Sequence, residues 1–134
     1  MKTINDILEF VEEKTGTKNV GSETDIFFDL GCTGDDFDEL IETYSERFSV
    51  DMSGYLWYFH ADEEGHNIGA LFFKPPYRRV KRIPITPSVL LYYANKGVWS
   101  MKYPEHKLPK RRIDIIIGIL ILIAVLIWTI FSFF

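Results

Sequence analysis

A single cysteine, Cys32, among 134 residues excludes an internal disulfide and any cysteine-based metal cluster. It also suits a reducing compartment. Positive charge is scarce in the first half: residues 1–73 hold 4 Lys or Arg against 17 Asp or Glu. Negative charge is scarce next, with 11 Lys or Arg between 74 and 112 and Glu105 as the one acid among them. Charge of either sign is missing from Ile115 to Phe134, 20 consecutive and mostly apolar positions. The net charge of -4 and the near-zero mean hydropathy thus average three unlike segments. The apolar run excludes a purely soluble protein, and the lack of a second one excludes a multi-span channel or transporter. Aromatic residues, at 16%, are too frequent for intrinsic disorder. No Gly-rich phosphate loop, Ser-His-Asp set or Cys-His pair is present, so no enzymatic chemistry is expected.

Twenty residues at about 1.5 Å rise give a helix of about 30 Å, the thickness of a bilayer core. Its polar side chains, Thr129 and Ser132, can bond back to helix carbonyls. Lys107, Lys110, Arg111 and Arg112 flank the start of the run, which places residues 1–112 in the cytoplasm by the positive-inside rule. Trp128, Phe131, Phe133 and Phe134 are then expected at the far interface, and Asp114 at the near headgroup level, paired or hydrated. Met1 to Lys14 is charged and amphipathic, unlike a signal peptide. The expectation is a tail-anchored protein, spanning at 113–134 after a basic linker at 104–112. Arg78, Arg79, Lys81, Arg82, Lys110, Arg111 and Arg112 are the candidate membrane-surface cations, each drawn to anionic lipid by about 1 kcal/mol. The acidic half and the apolar tail argue against nucleic acid as the partner of this basic region.

Residues 1–103 carry helical patterning. Ile4, Ile7, Leu8 and Val11 share one helical face, with Thr3 and Asp6 as a capping box and Gly16 as terminator. Phe37, Leu40, Ile41, Tyr44 and Phe48 form a second stripe, started by a Thr33 N-cap with Asp35 and Asp36 in the first turn. The aromatic stretch from Val50 to Phe59 reads as a loop into a short third helix. An insert at about 63–82 follows, irregular or forming a hairpin with Val80 to Ile85. Thr86-Pro87 opens a last helix that buries Val89, Leu90, Tyr93 and Ala94 and stops at Gly97, and 98–109 leads to the membrane.

This order of helices, with Asp29-Leu30-Gly31 before the second one, resembles acyl carrier proteins and their Asp-Leu-Gly-x-Asp-Ser-Leu motif. Within that group, "DLGCTGDDFDELIETYSERFSVDMSGY" and "PITPSVLLYYANKGVW" are similar to the bacterial domain-of-unknown-function family 1493. The resemblance covers roughly residues 4–99 and implies a small, mainly α, carrier-like bundle. It also places Gly34 where a carrier holds phosphopantetheine on serine. Glycine has no hydroxyl, so no cofactor is expected.

His60, Asp62, Glu63, Glu64 and His66 form the one His and carboxylate cluster, but they lack a helical His pair and read as a solvated turn. Asp29, Asp35, Asp36, Asp38 and Glu39 lack the alternating ligands of a calcium loop. Tyr92, Tyr93, Phe72 and Phe73 are expected as core or contact aromatics. Carriers meet partners through the acidic second helix, so the resemblance makes Asp35, Asp38, Glu39, Glu42 and Glu46 the candidate partner-binding residues. The leading expectation is a membrane-tethered, non-acylated adaptor for a cytoplasmic or membrane protein. Alternatives are a membrane-held acyl carrier of lipid metabolism and a small stress or immunity-type membrane protein.

Overall fold

The computed structural model describes residues 1–65 and 67–134. The chain is mainly helical, and among the described residues it contains no strand. Four α-helices form: α1 (Ile4–Thr15), α2 (Gly34–Phe48), α3 (Pro87–Lys96) and α4 (Ile113–Phe133). Short 3-10 turns lie at Trp57–Phe59, Ile68–Leu71 and Pro76–Arg78. The residues group into two compact units, one of 1–64 with 82–104 and one of 65–81 with 105–134.

In the first unit the helices start and stop where local chemistry dictates. Thr3 and Asp6 form the full capping box of α1, and Gly16 closes it in a left-handed conformation. The Thr86 hydroxyl accepts from Val89 N–H at the start of α3, Pro87 fills its first position, and Gly97 ends it. The predicted stripe of α2 is buried throughout: Phe37, Leu40, Ile41, Tyr44 and Phe48. On α1 the buried face is Ile7, Phe10 and Val11, with Ile4 and Leu8 half-buried, so the stripe is turned toward Phe10. The Phe10 ring meets Phe48 edge-on at 5.4 Å, which is why the face turns that way. Tyr44, fully buried, donates its hydroxyl to Leu90 O at 2.7 Å and so ties α2 to α3. Lys2 Nζ donates to Phe48 O and Ala94 O, carbonyls at the C-terminal ends of α2 and α3.

Two expectations take a definite form. The third helix is only the 3-10 turn Trp57–Phe59, with His60 N–H and Ala61 N–H both bonded to Trp57 O. Phe59 is buried in it, while Trp57 and Tyr58 are half-buried. Of the two alternatives for the insert, irregular or hairpin, the irregular one forms among the described residues. Pro75, Pro76 and Pro84 supply no N–H for a ladder, and 76–78 coils into a 3-10 turn. Ile83 N–H instead bonds Phe59 O, and Ile26 N–H bonds Ile85 O, so 83–85 is an extended tie across the first unit. One parallel bridge joins Asp51 to Val98.

In the second unit the turn Ile68–Leu71 packs on α4. A Cβ at Gly69 would run into the Asp114 carbonyl, with Gly118 N 2.8 Å away, so only glycine permits this approach. α4 has 21 residues and is long and apolar enough to cross a membrane. The Thr129 hydroxyl bonds back to Leu126 O at 2.7 Å, which removes its polarity from the apolar face.

Candidate functional site

The start of α2 is built differently from the expected hydroxyl cap. Thr33 has extended backbone but makes no side-chain cap bond. The Gly34 N–H is met instead by Asp62 Oδ1 at 3.2 Å, a carboxylate delivered by the loop after the Trp57–Phe59 turn. A negative charge at that end suits the helix dipole. Gly34 has φ +55°, in the left-handed region, and a Cβ there would run into the Glu64 side chain, with Cδ at 2.8 Å. The left-handed backbone favours glycine at the position that the carrier resemblance assigns to serine, while the exposed Glu64 side chain would have to swing aside for any larger residue.

Acids crowd this end. The Glu64 carboxyl is raised above its usual range, chiefly by the Asp35 charge. Asp38 lies on the exposed side of α2, yet partial burial is the main cause of its raised pKa, followed by Asp35, Asp62 and Glu63. Cys32, two residues before Gly34, is buried, and burial together with Asp36 pushes its thiol up to about 11. It packs in the hydrophobic core, and a raised thiol pKa disfavours the thiolate.

Asp35, Asp38, Glu39, Glu42 and Glu46 are all exposed along α2. They are spaced so that Asp35, Asp38 and Glu42 share one face and Glu39, Glu42 and Glu46 an adjoining one. A hollow of about 220 Å³ beside this row is lined by Glu13, Lys14, Asp36, Glu39 and Leu40. Arg47, on the last turn, is held by Glu13 through two bonds of 2.9 and 3.2 Å.

The sequence-predicted cations divide. Arg82 belongs to the first unit, where it forks onto both oxygens of Asp25 and lies over the Phe27 ring at 5.3 Å. It is a half-buried structural ion pair there. In the second unit Arg78, Arg79, Lys81, Lys110 and Arg111 are exposed. Arg79 lies 4.4 Å over the Phe73 ring and donates to Lys74 O at 2.7 Å. Arg112 donates to Asp114 through Nε at 3.0 Å and Nη2 at 2.6 Å, and Asn67 Nδ2 adds a third bond at 2.8 Å. Asp114 is buried by these partners.

The reading of 60–66 as a solvated turn needs correction. His60 is 1% exposed. Its Nδ1 faces Ile83 O at 2.8 Å, and a carbonyl only accepts, so Nδ1 carries the proton. Nε2 is then an acceptor, and the Tyr103 hydroxyl, 2.8 Å away, donates to it. The same hydroxyl accepts from Trp99 Nε1 at 2.9 Å and Leu56 N at 3.3 Å. Burial lowers the His60 pKa to about 4, which keeps the ring neutral. A His followed by no helical pattern gave no sign of this; the signal was its setting among Tyr55, Phe59 and the aromatic pair Trp99 and Tyr103. Asp62 and Glu64 flank Gly34 as described, Glu63 is exposed, and His66 lies outside the described residues. Among the described residues no group of three or more His, Cys, Asp or Glu is arranged to hold a metal ion.

Of the predicted contact aromatics, Tyr93 packs 4.4 Å from Trp99, while Tyr92 and Phe72 are exposed. Comparison of the chain with protein-family models, with curated proteins and with solved structures found no match.

Proposed function

We propose that this chain is a membrane-tethered, non-enzymatic adaptor of carrier-like organisation, which presents the acidic face of α2 to a basic protein partner and carries no phosphopantetheine. The observation that carries this reading is Gly34. Its left-handed backbone disfavours any residue with a Cβ, and the Asp62 carboxylate already occupies the helix end that a prosthetic phosphate would approach. What the carrier resemblance leaves is the recognition surface: Asp35, Asp38, Glu39, Glu42 and Glu46, all exposed. Such a row acts mainly on encounter rate and choice of partner.

α4 supplies the tether. Lys107, Lys110, Arg111 and Arg112 lie at its Ile113 end, and by the positive-inside rule they support a first unit on the cytoplasmic side, in this reading of a bacterial inner membrane. Intact mass after co-expression with a phosphopantetheinyl transferase tests the reading: an unchanged mass is expected, and an increment on a peptide containing Thr33 overturns it. In capture from native membranes, Glu39→Lys with Glu42→Lys should lose partners while the circular dichroism spectrum stays unchanged. Capture that ignores the double reversal removes α2 as the docking face. Protease added to intact cells should leave residues 1–112 uncut, and digestion there reverses the topology.

A further inference from the structure

The second unit holds a feature that a simple anchor does not need. The turn Ile68–Leu71 lies against the first two turns of α4, with Gly69 in contact range of Asp114 and Gly118. Gly118 is the fourth residue of the uncharged run that starts at Ile115, about 4–5 Å along the helix axis from that start. If α4 fills the bilayer core with this run, the Gly69 backbone sits at the headgroup–acyl boundary. Irregular backbone at that depth must satisfy its own polar groups. Part of that demand is met within the turn: Ala70 N–H bonds Asn67, and Phe72 N–H and Phe73 N–H both bond Gly69 O at 3.0 and 2.9 Å. Asp114, the charge on this stretch of α4, is closed off by Arg112 and Asn67.

At the tip of this turn two large apolar side chains stand open, Leu71 at 79% and Phe72 at 69% exposure. Cations follow at once. Lys74, Arg78 and Arg79 are exposed, and the turn that carries them is fixed by Arg79 on Lys74 O and on the Phe73 ring. An apolar tip backed by cations is the make-up of an element lying in a membrane interface.

We infer that residues 68–79 form a second membrane contact, in which Leu71 and Phe72 enter the headgroup–acyl boundary beside α4 while Lys74, Arg78 and Arg79 meet anionic headgroups. The occupant of the apolar tip is lipid because the turn is packed on the very helix that crosses the bilayer, at the level where its uncharged run begins. This rests on the reading of α4 as a span. The contact fixes the rotation and depth of α4, which a lone apolar helix leaves loose.

The full chain in a Cys32→Ala background is reconstituted into vesicles of phosphatidylglycerol and phosphatidylcholine. An environment-sensitive dye is placed on Phe72→Cys or, separately, on Ile123→Cys in mid-α4. With the dye at 72, emission should shift to the blue and be lost more to a nitroxide near the lipid headgroup than to one near the chain end. The dye at 123 should show the opposite preference. Quenching at 123 without quenching at 72 overturns the inference and leaves the span intact. No quenching at 123 overturns the span and the inference with it. Adding Gly69→Ala, which drives a methyl into the Asp114 carbonyl, should abolish shallow quenching at 72 and keep the deep quenching at 123. Unchanged quenching at 72 in that variant overturns the packing argument.

Discussion

Two tyrosines of nearly the same setting should respond oppositely to loss of the hydroxyl. Tyr103 gives one hydroxyl to three partners: His60 Nε2, Trp99 Nε1 and Leu56 N. Tyr103→Phe keeps the ring, which lies 4.8 Å from Phe59, and strands the His60 acceptor and the Trp99 donor, both on residues only 1% exposed. Each buried polar group left unpaired costs about 1–3 kcal/mol, so the two together place the loss at about 3 kcal/mol after partial relaxation. That is a large share of the roughly 5–15 kcal/mol that holds a domain of ordinary stability. Tyr55 stacks on His60 at 5.3 Å and 11°, but among the described residues nothing pairs with its buried hydroxyl. Tyr55→Phe removes a desolvated group without a partner and should be neutral or stabilising by up to about 1 kcal/mol. The measurement is urea unfolding of the full chain in detergent micelles, followed by Trp fluorescence, where α4 stays helical and the transition reports the first unit. Equal effects of the two substitutions, or a Tyr103→Phe loss under about 1 kcal/mol, would refute the hydrogen-bond reasoning.

Acid should weaken the first unit in a defined window. His60 falls from the ordinary 6.5 to about 4 on folding, so the folded state resists its protonation. A histidine with a depressed pKa contributes stability that is complete above 6.5 and is lost as pH falls from 6.5 to 4. The span corresponds to about 3 kcal/mol. The urea midpoint should drop across that window and the slope should vanish in His60→Gln; a slope that persists assigns it to other groups. Gly34→Ala should cost about 1–2 kcal/mol from the left-handed backbone alone, and the same chain with Glu64→Gly as well should recover only the part due to contact. A fully neutral Gly34→Ala in the same urea assay rejects the requirement for glycine.

Local chemistry by itself determined the helices. The Thr3–Asp6 box, the Thr86-Pro87 start and the Gly16 and Gly97 ends act within four residues of each other, and the five-residue stripe of α2 follows from helical period alone. The helix long and apolar enough to cross a membrane was equally plain, because 20 consecutive uncharged residues carry its length and composition in the sequence itself. The acidic row of α2 was readable as exposed for the same reason: its partners on the helix face the core.

Tertiary structure decided the rest, wherever a group's partner is distant in sequence. Asp62 reaches back 28 residues to the Gly34 N–H, and the Thr33 hydroxyl loses the cap it would take in an isolated helix. His60 is buried because Ile83 and Tyr103 bring it a carbonyl and a hydroxyl, which no count of neighbouring polar residues could reveal. Arg82, one of a run of cations, is withdrawn from that run by Asp25, 57 residues away. Gly69 and Asp114 meet across a similar distance, and their contact turns a Pro-rich insert into a companion of α4. Periodicity and capping are short-range and therefore written in the sequence. Hydrogen-bond satisfaction of a buried polar group is met by whatever the folded chain brings within about 3 Å, and only the assembled core decides what that is.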